Sequence, residues 1–175
     1  NDISEKRRGP AILAVPGYQG NKNIPTQLVV SGYCVFTPFP RGQGESVAEW
    51  SLDTGTKLTY HIEDKHYYYY RGAYMDCIRG LDFLQSRTEV IPERLGMWSR
   101  SQGGGFTLAT AALDRRLKVA VAEEPFLCNF PLAVNLESSP YRELRDYLSV
   151  NPEKRQLVLS QSSGQIGDRL TILGL

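Results

Sequence analysis

The sequence of 175 residues lacks any apolar run approaching the roughly 20 residues that a membrane-spanning helix needs. Its first ten residues are polar and charged, without an apolar signal core. Its formal net charge is only +1, and no basic stripe alternates with aromatic residues as in a nucleic-acid groove. We therefore expect an untargeted cytoplasmic protein with neither a membrane nor a nucleic-acid partner.

Cysteine is also scarce. The three cysteines, Cys34, Cys77 and Cys128, are odd in number, widely spaced and set among apolar residues. This pattern favours buried reduced thiols over disulfide bridges or metal ligands, which fits a reducing compartment. We predict neither a metal nor another cofactor.

What the sequence does contain is an alternation of apolar runs and amphipathic segments. The runs that predict strands are 11–15, 33–37, 95–98, 118–122 and 170–173. The predicted helices cover 25–30, 73–86, 106–114 and a segment that begins at Ser139 and Pro140, and 41–70 is expected to be a loop region. The alternation predicts an α/β fold in one domain over residues 1–175, with a mostly parallel sheet flanked by helices. Ligand sites of such sheets lie beyond the carboxyl ends of the strands.

A serine follows the third predicted strand and precedes three glycines. Ser101 has small residues two positions before and two after it, Ser99 and Gly103, as a sharp strand-to-helix turn requires. Such a turn exposes the serine hydroxyl, so we favour a nucleophile at Ser101 with Ser99 and Gly103 shaping the elbow. A purely structural turn remains an alternative. A phosphate-binding loop is a weaker one, because neither Lys-Ser nor Lys-Thr follows the glycines.

Several segments, in order, resemble the acetyl xylan esterase and cephalosporin C deacetylase family of α/β-hydrolases. The matching pieces are Gly17-Tyr18, Arg41-Gly42-Gln43-Gly44, Tyr68-Tyr69-Tyr70-Arg71, Arg94-Leu95-Gly96, Ser101-Gln102-Gly103-Gly104-Gly105, Ala111-Ala112-Leu113, Pro125-Phe126-Leu127-Cys128 and Pro140-Tyr141. The resemblance implies a serine esterase that removes acetyl groups from acetylated sugars, xylo-oligosaccharides or related acetyl esters through an acetyl-serine intermediate.

The resemblance also implies an oxyanion hole formed by two backbone N–H groups. One belongs to Gln102, after the nucleophile, and the other to Tyr18, in the loop after the first strand. An ordinary strand-to-loop turn is the alternative interpretation of Gly17-Tyr18. We interpret Arg41 as structural, because an arginine at the end of a strand more often binds loop carbonyls or carboxylates than substrate.

Histidine, the usual base of such a serine, is nearly absent. The two histidines, His61 and His66, both precede Ser101, whereas α/β-hydrolases place the acid and then the histidine after the serine. We therefore expect the domain to be truncated at both ends and a polypeptide of residues 1–175 to lack the triad acid and base, and so to be a poor esterase. The alternative function is a non-catalytic relative or oligomer-forming module. The resemblance implies a homo-oligomer, often a hexamer, for the full-length form.

Overall fold

The described residues, 8–21, 24–52, 57–137 and 139–160 of a computed structural model, contain a four-stranded parallel sheet. Its strands are β1 (Gly9–Leu13), β2 (Cys34–Phe36), β3 (Val90–Arg100) and β4 (Leu117–Glu123), in the order β2-β1-β3-β4. All three strand pairs are parallel. The carboxyl ends of β1 and β3 therefore lie side by side.

Helices connect and follow these strands. They are α1 (Thr26–Val30), α2 (Tyr69–Ser86), α3 (Gln102–Leu113), α4 (Phe130–Ala133), α5 (Ser139–Val150) and α6 (Arg155–Leu159), with 3-10 turns at Gly44–Ala48 and Pro152–Lys154. None of the helices in the described ranges is both long and apolar enough to cross a membrane.

The two inner strands, β1 and β3, supply most of the buried residues of the sheet, although Glu93 and Arg94 of β3 are exposed. Leu13 of β1 is paired in register with Met97 of β3, and both side chains lie in the core. In contrast, Val119 and Val121 of β4 are 58% and 42% exposed. The most protected part of the described sheet is thus the pair of strands whose ends carry Tyr18 and Ser101.

Helix α2 packs on this pair through the face that the sequence periodicity predicts. Ala73, Cys77, Leu81 and Leu84 are buried along one side, with spacings of three and four residues. Helix and strand approach closely at Gly80, where an added Cβ would lie 2.9 Å from a methyl carbon of Leu13. The glycine lets α2 lie directly against β1.

The α/β fold and the first four strands are confirmed, although several bounds differ. β3 begins at Val90 rather than residue 95, since Val90 pairs with Gly9 of β1; after an irregularity the pairing resumes between Ala11 and Leu95. α2 begins at Tyr69, so the prediction that the loop region extends to residue 70 was wrong. Tyr69 and Tyr70 are buried on the core face of that helix. The predicted strand 170–173 lies outside the described residues.

The cysteine prediction is confirmed only in part. None of the three cysteines, all of which are described, forms a disulfide, but only Cys77 is buried, whereas Cys34 and Cys128 are half-buried. Burial raises the pKa of the Cys77 thiol to about 12.

Candidate active site

Ser101 lies at the junction of β3 and α3, in a backbone conformation that few non-glycine residues adopt. Its φ is 58° and its ψ is −123°. Its N–H donates to the Glu123 carbonyl and its carbonyl accepts from Phe126 N–H, both at 2.9 Å, which ties the turn to the end of β4. A non-glycine residue held at positive φ costs about 1–3 kcal/mol and persists only where the surroundings enforce it. This is the geometry of a nucleophile elbow.

The three glycines after Ser101 allow the close approach that the sequence predicts. A Cβ on Gly103 would lie 2.6 Å from both the Ser99 Cβ and the Val15 carbonyl oxygen. One on Gly104 would lie 2.9 Å from the Glu123 carbonyl oxygen, and Gly105 is similarly crowded by Phe126. Since most of these neighbours are backbone, they cannot move aside as a flexible side chain could.

Ser99 does more than leave space. Its side chain is buried, and its Oγ accepts a hydrogen bond of 2.9 Å from the Val15 backbone N–H. The hydroxyl therefore satisfies a donor just beyond the end of β1. The sequence indicated only that a small residue was needed at this position.

Two backbone donors are free beside the serine. Among the described residues, neither the Tyr18 N–H nor the Gln102 N–H has a hydrogen-bond acceptor. Gln102 is the first residue of α3, where helix geometry leaves the N–H groups without an intrahelical partner and the helix dipole favours negative charge. Both predicted oxyanion donors are therefore available to a ligand.

Side-chain amides hold the loop after β1. The buried Gln102 accepts from the Tyr70 hydroxyl at 2.8 Å, and its Nε2 donates to the Gly17 carbonyl at 3.4 Å. Gln43 Nε2 donates to the Gly17 and Tyr18 carbonyls at 3.4 and 3.2 Å. The loop is therefore tied both to α3 and to the Arg-Gly-Gln-Gly segment.

The Tyr18 side chain is fixed at its other end. Its hydroxyl donates to Glu143 Oε1, and Glu143 Oε2 accepts from the Leu58 N–H at 3.2 Å. Lys57 Nζ lies 5.0 Å from the centre of the Tyr18 ring. Burial raises the pKa of both Tyr18 and Glu143 and lowers that of Lys57, so partial removal from water affects the whole cluster.

Arg41 has the structural setting that the sequence suggested. Its guanidinium donates twice to Asp76 of α2, at 2.9 and 2.8 Å, and its backbone N–H donates to the same carboxylate. The Tyr69 hydroxyl donates to the Arg41 carbonyl. Arg41 thus fastens the segment after β2 to α2.

Both histidines lie among the tyrosines. His61 packs edge-on against Tyr60 with ring centres 4.4 Å apart, and both His61 and His66 are exposed. Together with Trp50, they line a cavity of about 260 Å³ whose lining does not include Ser101. Within the described ranges, neither imidazole is hydrogen-bonded to Ser101.

No metal centre occurs within the described ranges, which bring together no group of three or more histidine, cysteine, aspartate or glutamate side chains that could hold an ion. The predicted site is a serine hydroxyl with two backbone N–H donors. This arrangement suits attack on a carbonyl carbon.

Comparison with known families gives this geometry a context. The family model described as "Acetyl xylan esterase (AXE1)" matches residues 3–162. The chain belongs to the acetyl xylan esterase family. Acetyl xylan esterases are carboxylic ester hydrolases with an α/β-hydrolase fold, as the sequence motifs predict.

Solved acetyl xylan esterases share the architecture. The acetyl xylan esterase from Paenibacillus sp. R4 is 35% identical, with a TM-score of 0.79 over 93% of this chain. Acetyl xylan esterase 1 from Thermoanaerobacterium sp. JW/SL YS485 is 26% identical, with a TM-score of 0.75 over 93% of this chain. Acetyl esterase Axe7A of Xylanibacter ruminicola is 36% identical over 70 residues, which are 40% of this chain and 16% of Axe7A.

The chain spans about half the length of these solved acetyl xylan esterases, 56% and 55% respectively. The described residues include the strand-to-helix turn at Ser101 and the loop after β1. They bring together Ser101, Tyr18, Gln102, Ser99 and Gly103, all of which the sequence motifs single out.

The sequence does not predict the contacts of three supporting residues, Tyr70, Gln43 and Glu143. Tyr70 belongs to a tyrosine run without obvious periodicity, and Gln43 lies in a motif whose glycines and arginine drew attention first. Glu143 is one of several charged residues on an amphipathic helix, and no sequence signal shows that it reaches Tyr18. Only the three-dimensional arrangement reveals these contacts.

Proposed function

We propose that the complete protein containing this chain is a serine esterase that removes acetyl groups from acetylated sugars or xylo-oligosaccharides. The observation that carries the proposal is the strained Ser101, together with the Tyr18 and Gln102 N–H groups, which have no acceptor among the residues that the structure describes. Membership of the acetyl xylan esterase family supports the acetyl specificity and the carbohydrate substrate.

The chemistry begins when Ser101 Oγ attacks the ester carbonyl carbon. The carbonyl oxygen becomes negative, and the N–H groups of Gln102 and Tyr18 stabilise it. Collapse of this tetrahedral intermediate breaks the bond between the carbonyl carbon and the sugar oxygen, which takes up the proton lost by Ser101, and leaves an acetyl group on Ser101. Water then attacks the acetyl-serine and releases acetate.

The first step needs a base, because a serine hydroxyl is a poor nucleophile at neutral pH. His61 and His66 are the only histidines of the 175 residues, and neither is bonded to Ser101. Because the chain spans about half of its solved relatives, we expect the acid and histidine to come from sequence of the complete protein beyond these residues. A homo-oligomeric, cytoplasmic enzyme is part of the same proposal.

Acetate release from an acetylated xylo-oligosaccharide tests this function. We expect Ser101→Ala in the complete protein to lower kcat by about 10⁴-fold or more, since the nucleophile is lost. Ser149→Ala is the matched control, because its exposed hydroxyl bonds only within α5. Retention of activity in Ser101→Ala, or no acetate release by the native enzyme from any acetylated sugar, would contradict the proposal.

A further inference from the structure

Glu143 joins three parts of the molecule that are distant in sequence. It lies on α5, half-buried, and each oxygen of its carboxylate has a different partner. Oε1 accepts from the Tyr18 hydroxyl, and Oε2 accepts from the Leu58 N–H at 3.2 Å. Leu58 itself is fully buried, and its carbonyl accepts from the Tyr68 hydroxyl at 3.1 Å. The carboxylate is therefore anchored to a fixed point of the core.

Tyr18 is held along its whole length. Its carbonyl and that of Gly17 accept from the amides of Gln43 and Gln102, its ring meets Phe126 edge-on with centres 6.0 Å apart, and its hydroxyl binds Glu143. The amides limit translation of the loop. The bond at the far end of the ring limits rotation of the side chain about its Cα–Cβ bond, and so limits how far the residue can tilt.

That rotation matters because the N–H of the same residue is free to meet a ligand. An oxyanion donor is effective only when it is already aimed at the position of the developing charge, about 2.7–3.1 Å away. A tyrosine whose ring has no fixed end can turn its peptide group with it. A carboxylate that fixes the hydroxyl therefore restricts the movement of both the ring and the peptide group.

We propose that Glu143 is a positioning residue of the oxyanion hole: through the Tyr18 hydroxyl it holds the Tyr18 backbone N–H toward the carbonyl attacked by Ser101. The inference rests on the proposed function, in which Ser101 is the nucleophile. By this inference, helix α5 contributes to the chemistry of the site, although it lies well after β4 in the sequence.

Four variants of the complete protein test this role: Glu143→Gln, Glu143→Ala, Tyr18→Phe and the double variant Glu143→Ala/Tyr18→Phe. Glutamine keeps an oxygen that accepts from the tyrosine hydroxyl, whereas alanine removes it. Phenylalanine removes the hydroxyl but keeps the ring. The readouts are kcat and KM for an activated acetyl ester, with kcat expressed per site titrated by an organophosphonate, so that unfolded protein does not count.

We expect Glu143→Ala to lower kcat about 10-fold with KM changed less than about 3-fold, since loss of an entire oxyanion donor costs about 10²–10³-fold and this donor is only misaligned. Glu143→Gln should stay within about 3-fold of the native kcat. Tyr18→Phe should match Glu143→Ala, and the double variant should lose no more than either, because both remove the same bond.

Three results would overturn the inference. Native kcat in Glu143→Ala, or losses that multiply in the double variant, would show that the Tyr18 contact does not set the oxyanion geometry. An equal loss in Glu143→Gln and Glu143→Ala would show that an acceptor oxygen for the Tyr18 hydroxyl is not what sustains kcat. If Ser101→Ala hydrolyses as fast as the native protein, the proposed function fails and the inference with it, whereas Ser101-dependent hydrolysis insensitive to Glu143 overturns the inference alone.

Discussion

At the scale of single residues, the site depends on a few side chains that satisfy backbone groups. Ser99 accepts the Val15 N–H, and Gln43 donates to the carbonyls of Gly17 and Tyr18. A buried backbone group that loses its partner costs about 1–3 kcal/mol, more than most surface contacts contribute. The position of the loop after β1 therefore depends on hydrogen bonds that single substitutions can remove one at a time.

Ser99→Ala should lower the free energy of unfolding by about 1–3 kcal/mol, because it leaves the buried Val15 N–H without an acceptor. Chemical denaturation of the native protein and the variant measures the change. Ser31→Ala is the control, since its exposed hydroxyl donates only to a carbonyl one helical turn away, and we expect a change of at most about 0.5 kcal/mol. Equal effects of the two substitutions would show that the Ser99 bond contributes nothing particular.

At the scale of elements, the site is the meeting of β3 and α3 over the end of β1. The spacing of Ser99, Ser101 and Gly103 predicts this junction, because few other arrangements explain three glycines at the start of a helix. The hydrophobic periodicity also predicts α2 from residue 73 onward, but it does not predict the first turn of that helix. Tyr69 and Tyr70 lie in a run of four tyrosines. Because buried and exposed positions of this run carry the same residue type, it shows no hydrophobic periodicity. Tertiary packing, which no local pattern reports, decides that they are helical.

Gly103→Ala tests the strand-helix junction with the smallest possible addition. The new Cβ would lie 2.6 Å from a backbone oxygen, so we expect a loss of about 1–3 kcal/mol or more in unfolding free energy and a marked loss of esterase activity. Gly17→Ala serves as the stability control, because no atom lies within 4 Å of its added Cβ. A Gly103→Ala protein as stable as Gly17→Ala would be incompatible with the close approach described here.

At the scale of the whole molecule, the core contains many groups that are neutral only while they stay protonated. Burial raises the pKa of Cys77 to about 12 and that of Tyr141 to about 12, and it also raises the pKa values of Tyr68 and Tyr70. Each of these acids releases its proton more readily in the unfolded chain than in the folded one. The unfolded state therefore binds fewer protons at alkaline pH, and the stability of the fold must fall as pH rises.

The contribution of Cys77 should be fully present below its unfolded pKa, near 9.0, and should decline as the pH rises toward about 12. At pH 10.5 the expected loss from this thiol is about 2 kcal/mol relative to pH 8, at 1.36 kcal/mol per pKa unit. Denaturation of the native protein and of Cys77→Ala at both pH values separates the contribution of the Cys77 thiol to the pH dependence from that of the buried tyrosines. The alanine variant should show the smaller pH dependence, and an equal dependence in both proteins would contradict the assignment.

The central claim is that Ser101 is the acyl nucleophile, and covalent labelling of the complete protein tests it most directly. An organophosphonate probe should add one phosphonyl group to the protein, and peptide mass spectrometry should place that group on Ser101, which stands at positive φ between β3 and α3. Ser101→Ala should take up no label. A phosphonyl group found on another residue, or undiminished labelling of Ser101→Ala, would contradict the account.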